Sequence, residues 1–437
     1  MTKEIELKVR LNEANLPALT DFLNQVATPA DHSTLKNDYY DTPACALSKA
    51  KAALRIRHTE GGAEQTLKTR GQPQAGLQIR GEWNWPLSSP ALDVSLFEQA
   101  EVQDAWPAGV DAKTLAVVFG THFERQAWLW TDASSDTTIE VVIDQGLIVA
   151  GELEQSLLEV ELELKQGNAN LLWTLVAQMQ SVAPLWISDI SKAERGYRLA
   201  DLAPQWQAKL PVYCDQRMAE ALPLWLNAEM NALQRTLEQA IWAEEREAAV
   251  AAIQHVQGLR QVLSWSGRTL KRSATKELRT ALETLRLAIW ELAKNAAQLE
   301  DSSWSAECAK WQQNSTLASA LLNASRALYE LPWPEVEEAS SHVGRALLRH
   351  WLPDDLARRF EQASAINNWP DLHEAIVQML VITRYAQAAD RKSGWIKTAV
   401  ATRLVLTGML ECYLFDEEPN ADDLNLMASE FRHLITA

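Results

Sequence analysis

Positive charge is in short supply in this chain: its 437 residues carry 41 lysines and arginines against 58 aspartates and glutamates, a formal net charge of −17. The deficit is shared along the chain, with 17 basic and 27 acidic residues among the first 200. A protein that neutralises a nucleic-acid backbone needs a local excess of cations, so general nucleic-acid binding is not expected. Long apolar runs are missing too. No stretch of about eighteen residues is apolar and charge-free enough to span a bilayer, and Met1-Thr2-Lys3-Glu4 lacks the apolar core of a signal peptide. No membrane partner is expected, and the cytoplasm is the expected compartment. Cysteine is sparse: Cys45, Cys214, Cys308 and Cys412 lie far apart with no Cys-x-x-Cys, which leaves no support for a zinc site or a disulfide framework.

What the chain does have is period-2 alternation of charge and aliphatic over residues 1–200. Glu4, Glu6 and Lys8 alternate with Ile5 and Leu7, so two carboxylates and an ammonium share one strand face over roughly 13 Å. Arg55 and Arg57 share a face in Leu54–Arg57; Lys68, Thr66 and Arg70 share one in Gln65–Arg70; Arg80 and Glu82 lie together, opposite Trp83 and Trp85. Arg125 falls in a strand over Phe123–Trp130. Thr138–Ile143 gives Glu140 the parity of Asp144, ahead of a turn expected at Asp144-Gln145-Gly146. Glu159, Glu161 and Glu163 alternate with Leu158, Val160, Leu162 and Leu164. Like charges in a row on one strand are unfavourable unless cations neutralise them, whether bound metal or basic rows of other strands. A barrel of about eight strands brings such rows together in one lumen and turns the aliphatic rows outward, under helices expected at Ala14–Val26, Ala169–Ser181 and Val94–Gln103. The expected lumen is charged throughout. Its acidic rows suit Mg²⁺ or Mn²⁺, and its Arg and Lys rows suit phosphate oxygens.

In order, Glu4-Ile5-Glu6-Leu7-Lys8, Arg55-x-Arg57, Lys68, Arg125, the Asp144 strand, Glu159-x-Glu161 and Ser191-Lys192 resemble the CYTH, or triphosphate tunnel metalloenzyme, superfamily. The resemblance covers about residues 1–200. It implies an α+β fold: an eight-stranded antiparallel β-tunnel with covering helices that binds a triphosphate and divalent metal. Carried over, Glu4, Glu6, Glu159 and Glu161 would hold metal, with Asp144 and Glu140 supporting. Lys8, Arg55, Arg57, Lys68, Arg80, Arg125 and Lys192 would hold phosphates, while Glu163 and Arg70 would be rim charges. Catalysis would fall to Lys8, Glu159 and Glu161: one metal on Glu4, Glu6 and Glu161, and a second metal or Glu159 activating the attacking water.

Residues 218–437 change texture, to Ala, Leu, Glu and Gln with helical periodicity, after a Pro-bearing linker at 201–217. This half resembles the CHAD domain, an α-helical bundle associated with polyphosphate, through Leu259-Arg260, His373 and Arg384-Tyr385, with His342 and His350 as further candidates for phosphate contact. Most of the family's intervening basic positions are Gln, Met, Val or Ile here, so weak long-chain polyphosphate binding is the most this half is expected to show. A basic stretch from Arg260 to Arg286, including Arg268, Lys271, Arg272, Lys276 and Arg279, reads as a solvated helix face. CYTH followed by CHAD looks most like bacterial inorganic triphosphatases, which implies metal-dependent hydrolysis of tripolyphosphate to pyrophosphate and phosphate. The same tunnel admits triphosphatases acting on thiamine triphosphate or RNA, adenylate cyclases, and a non-catalytic polyphosphate binder.

Overall fold

The computed structural model describes residues 2–59, 62–69, 71–103, 105–203, 218–266, 269–333, 373–389 and 395–415. Arg70, Cys214, Arg268, His342 and His350 lie outside the described residues, as do 204–217 of the expected linker and the side chain of His373. The chain divides into two compact units, 1–207 and 208–437.

In the first unit ten strands form in chain order: β1 (Thr2–Arg10), β2 (Thr28–Asp41), β3 (Ala53–Thr59), β4 (Gly62–Lys68), β5 (Gln72–Gln74), β6 (Leu77–Leu87), β7 (Ala116–Asp132), β8 (Thr137–Ala150), β9 (Leu153–Gln166) and β10 (Trp186–Ile187). Eight of them close a ring in the order β1-β9-β8-β7-β2-β3-β4-β6, with β6 returning to β1 through the register Thr2↔Glu82 to Leu7↔Leu77. Every pairing is antiparallel, and the short β5 and β10 extend β6 and β1. Closure leaves the eight principal strands without a free edge.

The outward rows are apolar. Leu7, Val9, Val141, Ile143, Val160 and Leu162 are buried. Helix α1 (Leu16–Val26), with Pro17 in its first turn, packs on β2 and β7 and against α4 (Asn170–Met179), which lies on β9. Each fully buried Leu or Val contributes roughly 1.5–3 kcal/mol of transfer free energy, so covering these rows is what stabilises an inside-out barrel. A second apolar cluster forms around Leu47, Leu54, Leu67, Trp83 and Phe97. It includes the short helices α2 (Ala46–Lys49) and α3 (Ala100–Gln103). The helix expected over Val94–Gln103 is instead a 3-10 turn at Val94–Glu98 followed by α3, interrupted where Gln99 adopts an extended backbone.

The turn expected at Asp144-Gln145-Gly146 does not form, and β8 runs straight through it. Gly146 serves close approach rather than a turn: a Cβ there would lie 2.2 Å from the His122 carbonyl oxygen and 2.5 Å from Phe123 Cα on β7. The chain reverses later, at Gly151, whose φ is +61°. Gly146→Ala is accordingly expected to destabilise the barrel by about 3 kcal/mol or more in urea unfolding, as overpacking against fixed backbone does. A variant with the midpoint of the unaltered chain would mean that β7 and β8 can part there freely.

The lumen also differs from expectation, being charged over only part of its length. Residues with the inward parity of Arg125 and Asp144 include Phe119, Phe123, Ile148, Leu157, Leu35 and Tyr39, which form one buried cluster with Tyr197 of helix α5 (Lys192–Leu199). Ser191 caps α5 by accepting from the Glu194 amide at 3.1 Å, and Tyr197 donates to buried Asp41 at 2.7 Å. The helix sits so close that a Cβ on Gly196 would meet the Phe119 ring at 2.1 Å. This cluster fills one end of the lumen.

Among the described residues the regular elements of the second unit are helices: α6 (Met218–Trp242), α7 (Arg246–Trp265), α8 (Lys276–Gln298), α9 (Asp301–Gln312), α10 (Ser315–Tyr329), α11 (His373–Ala389) and α12 (Trp395–Leu414). Its interior contains a polar cluster. Glu229 of α6 is fully buried and takes His255 Nδ1 of α7 at 2.8 Å, the Tyr385 hydroxyl of α11 at 2.8 Å, and the Arg384 guanidinium. Burial lowers the His255 pKa despite Glu229, while Arg384 and His255 outweigh burial and lower that of Glu229. Trp225 and Trp265 pack edge-on around the Tyr385 ring. Arg384 and Tyr385 thus face the interior. Of the basic stretch, Arg260 and Arg286 share Glu283, and Arg279 donates to the Leu263 carbonyl near the end of α7, leaving Lys271, Arg272 and Lys276 exposed.

Candidate active site

The charged part of the lumen is a cavity of about 320 Å³ whose walls come from all the principal strands except β7's apolar stretch, with the start of α5 at its base. Strand register assembles it. Lys8 on β1 faces Glu161 on β9; Glu4 faces Arg80 on β6; Arg125 on β7 faces Asp144 on β8, which faces Glu159 on β9; Lys68 on β4 faces Glu82 on β6. The twelve residues expected to hold metal or phosphate or to carry catalysis, Glu140's supporting role aside, reach this lumen or its base. Glu4, Glu6, Lys8, Arg55, Arg57, Lys68, Arg80, Arg125, Glu161 and Lys192 line the cavity itself. Asp144 and Glu159 lie behind its surface, 0 % and 1 % exposed.

Two charge groups occupy it. In the first, Glu4 and Glu6 are already engaged: Lys68 Nζ donates to Glu4 at 2.6 Å and Arg80 Nη2 to Glu6 at 2.5 Å, with Glu82 3.4 Å from Lys68. In the second, Asp144, Glu159 and Glu161 bring one oxygen each within 4.8 Å of one another, and they are the metal-compatible group among the described residues. Arg125 grips Asp144 with two bonds of 2.7 Å, and Lys192 reaches Asp144 at 2.7 Å, Glu161 at 3.2 Å and Glu159. Lys8 lies 3.1 Å from Glu161 and 3.5 Å from Glu159.

Burial alone would neutralise these groups, but their mutual fields win. Glu161 is held well below the usual carboxylate range by Lys192, Lys8 and Arg125 against the cost of burial. Asp144 is lowered by Lys192 and Arg125 in the same way. Reciprocally, burial opposes protonation of Lys8 and Lys192, yet the carboxylates outweigh it and raise both pKa values. Asp144, Glu161, Lys8 and Lys192 are therefore charged near neutral pH. The donor set of the carboxylate group is oxygen only, with no His or Cys, which fits a hard divalent ion such as Mg²⁺ or Mn²⁺.

Arg55 and Arg57 stand apart. Among the described residues neither forms an ion pair with a carboxylate, whereas Lys8, Lys68, Arg80, Arg125, Lys165 and Lys192 all do. Arg55 first, then burial and Arg125, push the Arg57 pKa down to about 9, which leaves it protonated at neutral pH in a field of excess positive charge. Burial would lower the Arg55 pKa, but Tyr39 and Glu82 outweigh it and raise it; two charged guanidiniums on one strand face, neither in an ion pair, suit an anion.

Lys165, Arg195 and the Tyr39 and Asn37 side chains were not singled out from the sequence. Lys165 pairs with Glu163 at 2.7 Å and Glu140 at 3.0 Å, so those two carboxylates sit at the cavity beside a cation. Its signal was legible, since it continues the parity of Glu159, Glu161 and Glu163. Arg195, one turn beyond Lys192 on α5, comes within 4.0 Å of Glu159.

Residues 2–197 match the CYTH domain. Over 202 residues the chain is 37% identical to an inorganic triphosphatase of Haemophilus influenzae, a match that covers 46% of this chain and 55% of that protein. The chain thus spans about half the length of that relative. Among solved structures, a Hippeastrum protein described as a putative adenylyl cyclase with a dominant triphosphatase activity is 20% identical with a TM-score of 0.36, over 45% of this chain and 95% of that one. A putative adenylate cyclase of Bacillus halodurans is 18% identical with a TM-score of 0.32, over 45% and 98%.

Proposed function

We propose that the first unit hydrolyses inorganic tripolyphosphate to pyrophosphate and phosphate with the help of a divalent metal. One observation carries this reading: a carboxylate trio suited to a hard cation, which reaches the small lumen through Glu161, lies in the same barrel as two arginines that line that lumen without an ion pair. Pure anion binding would not need Asp144, Glu159 and Glu161, which repel phosphate unless a metal or an ammonium intervenes. The size and lining favour an inorganic substrate. About 320 Å³ is at the lower end of ligand cavities, and Tyr39, Ala53, Val142 and Ala193 are nearly all the apolar surface available to a base or a thiazole.

Tripolyphosphate carries roughly four to five negative charges near neutral pH, which repel an incoming hydroxide. Arg55 and Arg57 would anchor one end of the anion. Lys8, Lys192 and Arg125, released from their carboxylates as phosphate oxygens arrive, would screen the phosphoryl group under attack and hold the chain in line. Asp144, Glu159 and Glu161, with Glu4 and Glu6 on β1, are the residues that would hold metal. The metal would stabilise charge on bridging phosphate oxygens and lower the pKa of a bound water. Of the trio, Glu161 is the carboxylate that lines the cavity, while Asp144 and Glu159 lie buried behind it.

The deciding measurement is phosphate release from tripolyphosphate in Mg²⁺, in Mn²⁺ and after chelation with EDTA. Equimolar phosphate and pyrophosphate with either metal, and loss of at least about 10³-fold on chelation, are expected. Turnover that survives chelation would remove the metal from the mechanism. We assign the chemistry to residues 1–200, as all the site residues fall there, and to 218–437 at most weak binding of long polyphosphate. Among the described residues no helix is long and apolar enough to cross a membrane. A cytoplasmic setting is part of this proposal.

A further inference from the structure

We propose that Asn37 is a positioning residue for anion binding, whose neutral amide aims the Arg57 guanidinium into the cavity without cancelling its charge. The proposal rests on the function proposed above.

Asn37 is fully buried on β2, directly opposite Arg57 on β3 and Thr121 on β7. Arg57 Nε donates to Asn37 Oδ1 at 3.1 Å, and Asn37 Nδ2 donates to Thr121 Oγ1 at 3.0 Å. A guanidinium has only donors, so the amide oxygen must face Arg57 and the amino group must face Thr121. The side chain is thereby fixed at both ends. It sits on the inward face between Leu35 and Tyr39, where the apolar filling gives way to the charged cavity that Arg57 lines. With Nε held from behind, the Nη groups of Arg57 find no acceptor among the described residues and remain for an anion.

A second arginine in the same lumen is held by the same cross-strand geometry but with opposite effect. Arg125 lies directly opposite Asp144, which takes its Nε and Nη2 at 2.7 Å each, and that guanidinium is thereby neutralised. Asn and Asp differ here by little more than charge. An acid at position 37 would clamp Arg57 as Asp144 clamps Arg125 and cancel the positive charge that Arg57 presents to the cavity. The amide supplies the orientation and leaves the charge. The downward pull that Arg55 exerts on the Arg57 pKa is the electrostatic trace of this choice, and it would be relieved when a phosphate arrives.

The test compares Asn37→Asp and Asn37→Ala with the unaltered chain by steady-state kinetics, by calorimetric binding of tripolyphosphate in EDTA, and by melting. For Asn37→Asp, affinity is expected to fall by more than about tenfold, with KM rising further than kcat falls and a weaker dependence of binding on ionic strength, because a charged hydrogen bond now occupies the guanidinium. Its melting temperature should equal or exceed that of the unaltered chain. Asn37→Ala is expected to weaken binding less, by about three- to tenfold, since only the aim is lost. Wild-type affinity in both variants, or a larger loss in Asn37→Ala than in Asn37→Asp, would overturn the proposal. Should either variant fail to fold, the unaltered protein still decides: the Arg57 Nε proton is expected to exchange with water more slowly than that of Arg55, whose Nε has no hydrogen-bond partner. Equal exchange would also overturn it. If the unaltered protein neither binds nor hydrolyses tripolyphosphate, it is the function that fails, and that result is distinct from all of these.

Discussion

Glu161→Gln is expected to lower kcat for tripolyphosphate by about 10³-fold without weakening the binding of the anion in the absence of metal. The substitution removes one oxygen ligand and one negative charge but keeps the shape of the side chain. Lys8 retains Glu159 at 3.5 Å, and Lys192 retains Asp144 at 2.7 Å and Glu159, so both ammoniums stay anchored. Arg125 keeps its two bonds to Asp144. The positive field at the cavity surface rises, which favours a polyanion, while the hard-cation site loses the ligand that faces substrate. Turnover and metal-free affinity should therefore separate. The check is kcat under saturating Mg²⁺ beside calorimetric binding in EDTA; a variant that turns over normally, or that loses anion affinity along with turnover, would show that Glu161 is no metal ligand.

Lys192→Met should act on the same trio from the other side. Lys192 is the strongest of the charges that lower Glu161 and Asp144, and its ammonium occupies oxygens that a metal would use. Removing it should raise the affinity for Mn²⁺ in the absence of substrate, because a competing cation is gone while Lys8 and Arg125 still hold the Glu161 pKa down and Arg125 that of Asp144. The same change should lower kcat by about 10²-fold, since one cation that would screen the phosphoryl group is lost. Stability should fall as well, since taking one partner from a buried ion cluster costs up to about 3–5 kcal/mol, less here because Glu161 borders a hydrated cavity. Metal binding is read by titration with Mn²⁺ and electron spin resonance. Unchanged or weaker Mn²⁺ binding would mean that Lys192 and the metal do not share these oxygens.

Much of the barrel was legible because a strand's side-chain period is fixed at 2. Once Glu4, Glu6 and Lys8 share a face, every slip of one residue would bury them against helices, so parity selects the strand-borne lumen set from Glu4 to Glu161, while Lys192, on helix α5, came from the family resemblance. Parity does not report depth along the strand. Phe123 has the parity of Arg125 and Ile148 that of Asp144, yet the first of each pair belongs to the apolar filling and the second to the charged cavity. Nothing in a two-residue period marks that boundary, which depends on where α5 enters. Gly146 misled for a related reason: Asp-x-Gly signals positive φ in isolation, whereas here glycine answers to the backbone of a neighbouring strand. In the helical half His255 gave no signal at all. Its partners Glu229 and Arg384 are 26 and 129 residues away, on other helices, and a lone histidine on an apolar helix face has no spacing to read.

The apolar filling at the α5 end has a consequence for traffic. With Phe119, Phe123, Tyr39 and Tyr197 packed into one cluster, the charged rows give way there to ring faces that offer a polyanion no cation to follow.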